Sequence, residues 1–155
     1  MKSVSSAFHK IEKMKVTLNR IDTDYHFQLT NERGHIIDLD NSSDHGGNNK
    51  GASPMELLLM GLAGCSGIDI IAILKKQKQV VTSFKAEVEG FREQVADAKP
   101  FKKIAVVFYL EGDVNPQKAL RAAQLSFEKY CSVSKTLELM AKIEYRVFVN
   151  KSEVI

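Results

Sequence analysis

The segment from residue 53 to residue 78 constrains this chain more than any other. Ser53 suits a helix N-cap, Pro54 suits the first helical position, and Glu56, three residues after Ser53, completes a capping box. The pattern predicts a helix over 54–78, with a bend or break near Gly61 or Gly64. Its second half carries Ile68, Ile70, Ile71, Ile73 and Leu74, interrupted only by Asp69. A helix that is apolar nearly all round must be covered on several sides. At 155 residues the chain is read as a single domain over 1–155. One small domain provides little cover of that kind, so a second subunit is expected.

The flanking sequence has the other period. Residues 1–13 read as a loose N-terminal arm. From Lys15, alternation at Val16 and Leu18, then at Phe27 and Leu29, then around Ile36 and Ile37, predicts a three-stranded antiparallel meander. Residues 41–51 are polar and glycine-rich, with no apolar anchor, and are expected to be mobile. Alternation returns over 80–91 and 101–110, joined by a polar hairpin connection over 93–100. Asn115-Pro116 repeats the cap-plus-proline signal and opens a helix to about residue 130. A short helix over 132–141 and a strand over 143–149 close the chain. The order βββ–αα–ββ–αα–β is that of an α+β fold.

Charge excludes several functions. With 22 basic and 19 acidic residues the net charge is +3, too small to direct the chain to nucleic acid or a membrane surface. Met1 to Met14 lacks a secretory pattern, and no apolar stretch is read as reaching membrane-spanning length. A cytoplasmic location is expected. His9, His26, His35 and His45 are scattered and show no ligand spacing, so no metal site is expected. No cofactor is expected either.

The chain contains two cysteines, Cys65 and Cys131. In a reducing compartment a permanent structural disulfide is disfavoured. Two readings of the residues stand. The thiols are small buried hydrophobes, or they form a closed redox couple, in which one attacks an oxidant as thiolate and the other resolves the sulfenic acid as a disulfide. A helix N-terminus near Cys131 would favour the thiolate, with Ser132 as the cap of the following helix. Asp69 falls one helical turn beyond Cys65 and, if charged and close, would raise its pKa; a polar partner for Asp69 is the expected outcome.

The run Ser53-Pro54-Met55-Glu56-Leu57-Leu58-Leu59-Met60-Gly61-Leu62-Ala63-Gly64-Cys65 resembles the first cysteine motif of the OsmC/Ohr superfamily (osmotically induced protein C and organic hydroperoxide resistance proteins). Glu128-Lys129-Tyr130-Cys131-Ser132-Val133 is similar to the second, and the likeness extends from about Lys15 to Val149. The resemblance implies antiparallel sheets wrapped around central helices in an intertwined homodimer. It implies thiol-dependent reduction of organic hydroperoxides in oxidative stress defence, with Cys65 peroxidatic and Cys131 resolving. An external dithiol of the lipoyl type would be the reductant. An apolar interface pocket lined by Met55, Leu59, Met60 and Phe127 would admit the substrate.

The chain departs from the better-studied peroxidases at two places. Their Glu directly follows the Pro; here Met55 does, and Glu56 comes one later, so Glu56 is open to a catalytic role or to the capping box alone. The family Arg would fall near Thr23 or Asp24, neither of which is Arg; Arg20 is the nearest substitute, with Arg33 and Arg92 weaker ones. These departures keep a second function in view, a non-enzymatic small-molecule-binding or redox-sensing dimer. A third is an interaction module with inert thiols.

Overall fold

The structure is a computed structural model and describes residues 11–155. The arm expected over 1–13 lies outside the described residues except for its last three, which have no regular structure. The chain divides into two compact units, one ending at Pro54 and one running from Met55 to Ile155.

In the first unit β1 (Val16–Arg20), β2 (Phe27–Asn31) and β3 (Ile36–Leu39) form the expected antiparallel meander, in the order β1-β2-β3. Val16 pairs with Asn31, and Thr30 with Ile36. The β2–β3 turn needs Gly34, whose φ of +84° is costly for any residue with a Cβ. After β3 the loop over 41–51 is organised, contrary to the expectation of mobility. A short 3-10 turn, Ser43–His45, sits in it. Its anchor is polar: Asp40, 0% exposed, accepts hydrogen bonds from the backbone N–H groups of Asn41 (2.7 Å), Asn48 (3.1 Å) and Lys50 (3.0 Å). Lys50 also pairs with Asp22 at 2.8 Å, and Asn48 donates to Asp24 at 2.9 Å. A search for apolar anchors misses a loop wound round a carboxylate.

The second unit is built on a four-stranded sheet, β4-β5-β6-β7. Its strands are β4 (Val80–Arg92), β5 (Phe101–Asp113), β6 (Lys142–Val149) and a strand the sequence pattern does not announce, β7 (Ser152–Val154). The sheet is mixed rather than wholly antiparallel, because β5 and β6 run parallel. A parallel pair needs a long crossover, supplied here by α2 (Pro116–Leu125), a π-helical turn (Ser126–Tyr130) and α3 (Ser132–Leu137). Asn115 caps α2 as expected, its side chain accepting from Lys118 N–H at 3.1 Å.

The expected first pair of helices is one helix, α1 (Pro54–Lys76), running unbroken through Gly61 and Gly64. Neither glycine takes a positive φ, and a glycine inside a helix costs only about 1 kcal/mol. Burial of one face outweighs that cost. Leu62, Ile70 and Leu74 are fully buried in a cluster with Ile104, Val106, Phe108 and Leu110 of β5. Burying each large side chain contributes roughly 1.5–3 kcal/mol. Gly67 lets the Phe84 ring approach; a Cβ there would lie 3.2 Å from the ring edge. Other faces of α1 are open among the described residues: Ile68 is 73% exposed and Met60 56%. By length and composition alone α1 could cross a membrane, which corrects the expectation that no stretch reaches that length. Its buried face belongs to a core shared with a sheet.

Candidate thiol site

Cys65 sits mid-way along α1 and is half-buried; Cys131 is fully buried. Both are free thiols. The Sγ atoms of Cys65 and Cys131 and a carboxylate oxygen of Asp69 all lie within 4.8 Å of one another. The continuity of α1 sets one side of this cluster. Asp69 follows Cys65 by four residues, so both occupy one helix face, one turn apart.

The other side is set by the π-helical turn. Its wide i→i+5 bonding is closed by the N–H of Cys131 on the carbonyl of Ser126, at 2.8 Å. The chain then turns extended at Cys131, and α3 begins. Cys131 is itself the cap of α3, in place of the expected Ser132: its Sγ accepts from Ser134 N–H at 3.3 Å. That donor alone would favour the thiolate. Burial acts the other way and is the larger influence, and the neighbouring Cys65 adds to it, so the Cys131 thiol is pushed up from its ordinary value. Cys131 is therefore held as the neutral thiol at neutral pH.

Asp69 finds the polar partner expected for it. Ser126 Oγ, fully buried, donates to Asp69 Oδ2 at 2.9 Å. Asp69 and Ser126 are the site residues that sequence reading did not include. A signal for Asp69 existed, since it is the only charged residue between Glu56 and Lys75 in an apolar helix. Ser126 gave none, because its place depends on a π-helical turn with no sequence marker of its own.

The remaining expected residues are placed by their own elements. Glu56 is nine residues before Cys65 on one unbroken helix. This separation corresponds to about 13 Å along the axis and a half turn around it. Arg20 lies in the other unit, where its guanidinium donates to the carbonyls of Thr23 and Asp24 and so holds its own hairpin turn. Of the expected pocket residues, Phe127 is core: it stacks on Tyr145 with centroids 4.7 Å apart and touches Phe108. Met55 and Leu59 pack against the same core, and Met60 faces out. A depression of about 350 Å³ opens instead beside Asp69, lined by Ala72, Ile73, Leu125 and Tyr130 together with Lys76 and Gln77. A second, nearly apolar groove of about 520 Å³ follows the exposed side of α1, along Gly64, Gly67, Ile68 and Ile71.

Comparison with known proteins adds four findings. The model of the family described as OsmC-like protein matches residues 47–146. Protein YhfA of Escherichia coli (strain K12) is 37% identical over 113 residues, 72% of this chain and 81% of that protein. The fold is similar to that of a hypothetical protein from Aquifex aeolicus VF5, with a TM-score of 0.74 and 31% identity over 90% of this chain and 99% of the other. It is also similar to an organic hydroperoxide resistance protein OsmC from Legionella pneumophila, with a TM-score of 0.69 and 18% identity over 90% and 99% of the two chains. At that identity the second likeness concerns the fold alone.

Proposed function

The chain belongs to the OsmC-like protein family, and from that premise we propose that it is a thiol-dependent peroxidase for organic hydroperoxides. The observation that carries this reading is the pair of free thiols facing each other within 4.8 Å, one half-exposed and one sealed. Cys65 is the peroxidatic residue: its thiolate attacks the distal oxygen of R–O–O–H, the O–O bond breaks, and the alkoxide leaves with a proton as R–OH. Cys65 becomes a sulfenic acid. Cys131, whose ionisation burial disfavours, gives up its proton as its sulfur attacks the sulfenic sulfur. The S–S bond forms, and the hydroxyl leaves with the thiol proton as water. An external dithiol of the dihydrolipoyl type restores both thiols by exchange and is itself oxidised to a disulfide.

Several features support the assignment of roles. The attacking thiol must meet substrate, and Cys65 is the more accessible of the two. The depression at Ile73, Leu125 and Tyr130 offers apolar walls for an alkyl chain. The uncovered apolar side of α1, with Ile68 73% exposed, supports a homodimer as the working form, since a second copy would supply the cover this helix lacks. The reaction cycle needs a reducing compartment, in keeping with a cytoplasmic protein.

One observation favours a second reading, a small-molecule-binding or redox-sensing dimer without turnover. The three arginines from Met55 onward are engaged elsewhere: Arg92 with the Lys99 carbonyl, Arg121 with Gln124, and Arg146 with Glu153. A thiolate without a nearby guanidinium is less stabilised. Consumption of cumene hydroperoxide by the reduced protein with a dithiol donor decides between the two. Peroxidase function predicts turnover that is lost in Cys65→Ser, and a single turnover in Cys131→Ser. Turnover that persists in Cys65→Ser, or none in the unsubstituted protein, removes the peroxidase reading.

A further inference from the structure

We propose that Cys65, Asp69 and Cys131 form a zinc-binding site, with both thiolates and one carboxylate oxygen as ligands and a water in the fourth position. The inference goes beyond the peroxidase reading and does not depend on it.

The donors already stand close to a coordinating arrangement. Zinc is bound by thiolate sulfur at about 2.3 Å and by carboxylate oxygen at about 2.1 Å in a tetrahedral shell. Such a shell puts two sulfurs about 3.8 Å apart and sulfur and oxygen slightly nearer. The three ligand atoms lie within 4.8 Å of one another. Each pair therefore needs to close by about 1 Å or less, which side-chain rotation can provide. Two ligands share one face of a rigid helix, and the third is fixed by the π-helical turn, so the backbone does not have to be reorganised to bring them together.

The surroundings fit a metal ligand set. A ligating carboxylate is ordinarily oriented by a hydrogen bond from a neighbouring group, and Ser126 Oγ donates to Asp69 Oδ2 at 2.9 Å. Ser126 is fully buried, so this orientation is held from inside the core. The depression of about 350 Å³ that Asp69 lines gives the cluster an approach from solvent on its carboxylate side. The donor set selects the ion. Two thiolates exclude the hard cations magnesium and calcium, and the oxygen donor disfavours copper(I), which prefers sulfur alone.

Anaerobic titration of the fully reduced protein with Co²⁺, followed by displacement with Zn²⁺, tests this. One Co²⁺ per chain is expected, with a thiolate-to-cobalt charge-transfer band in the near ultraviolet that Zn²⁺ abolishes. Saturating Zn²⁺ should slow alkylation of both cysteines by at least about 10-fold. Asp69→Asn and Ser126→Ala should each weaken the apparent affinity by about 10–100-fold while both thiols stay titratable. Binding no better than in a Cys65→Ser/Cys131→Ser double variant overturns the proposal. So does an affinity unchanged in both Asp69→Asn and Ser126→Ala. If either variant fails to fold, alkylation of the unsubstituted protein decides: equal rates with and without Zn²⁺ overturn the site.

Discussion

Asp40 and Asp69 are both withdrawn from solvent, and they are used in opposite ways. Asp40 is sealed and accepts three backbone N–H donors, from Asn41, Asn48 and Lys50. Burial on its own would raise its pKa; the three donors together outweigh it, and the carboxyl is held below the usual carboxylate value. All of its bonding capacity goes to winding one loop. Asp69 is half-buried and has a single donor among the described residues, Ser126, with two thiols close by. A polar group saturated by backbone builds structure. One that is oriented but not saturated is left able to do chemistry. The same contrast separates the elements around them, since loop 41–51 has no apolar core to lean on, whereas α1 and the π-helical turn are held by Phe108 and its neighbours.

The contrast can be broken most forcefully at the apolar wall. Phe108 is fully buried and touches both Phe84 and Phe127. Phe108→Ala should cost about 3–5 kcal/mol in denaturant unfolding and should release Cys131 to alkylation. Loop 41–51 responds instead to its carboxylate. Asp40→Asn should strip hydrogen-exchange protection from the amides of Asn41, Asn48 and Lys50 and leave the amides of α1 protected. Asp69→Asn is the milder change for stability, about 1 kcal/mol, although it should alter thiol alkylation rates. Comparable loss of stability from the two substitutions would remove the distinction between a saturated and an available carboxylate.

The two regions should also weaken at opposite ends of the pH scale. The pKa of Asp40 is depressed from 3.8. Its contribution is present above that ordinary value and is lost as pH falls through the lower folded value. The pKa of Cys131 is raised from 9.0, chiefly by burial. Its contribution is present below that ordinary value and is lost as pH rises through the higher folded value. Melting temperature against pH should therefore flatten on the acid side in Asp40→Asn and on the alkaline side in Cys131→Ala. The smallest effect is expected at Gly64, where an added Cβ meets nothing within 4 Å among the described residues. Gly64→Ala should stabilise an isolated chain by about 0.5–1 kcal/mol. If a second copy packs on that groove, the same change will weaken the dimer seen by analytical ultracentrifugation.

Much of the fold was legible in the sequence, for identifiable reasons. Period-two alternation placed β1 to β6, and the Asn115-Pro116 signal placed the start of α2. The α+β class followed from their order. What was not legible came from long-range geometry. The parallel pairing of β5 and β6 is set by where the crossover returns, and no local pattern records it. The glycines of α1 read as breaks because propensity was weighed without the buried face of Leu62, Ile70 and Leu74 that keeps the helix straight. At the site, both cysteines were found from their motifs. Asp69 stands out in the sequence as a lone charge in an apolar helix, but its distance from Cys131 depends on a π-helical turn that no local pattern marks. Its partner Ser126 had no signal at all. The loop after β3 was misread for a related reason: Asp40 looks like an ordinary surface acid until three backbone amides converge on it.

The account rests on Cys65 and Cys131 acting as one redox couple, and a single measurement addresses that most directly. The reduced protein is treated with one equivalent of cumene hydroperoxide, quenched by alkylation, and mapped by peptide mass spectrometry. The account predicts an intramolecular Cys65–Cys131 cross-link in the unsubstituted protein, and a sulfenic acid confined to Cys65 when Cys131 is replaced by Ser. Recovery of both cysteines as alkylated thiols, or oxidation that begins at Cys131, would contradict it.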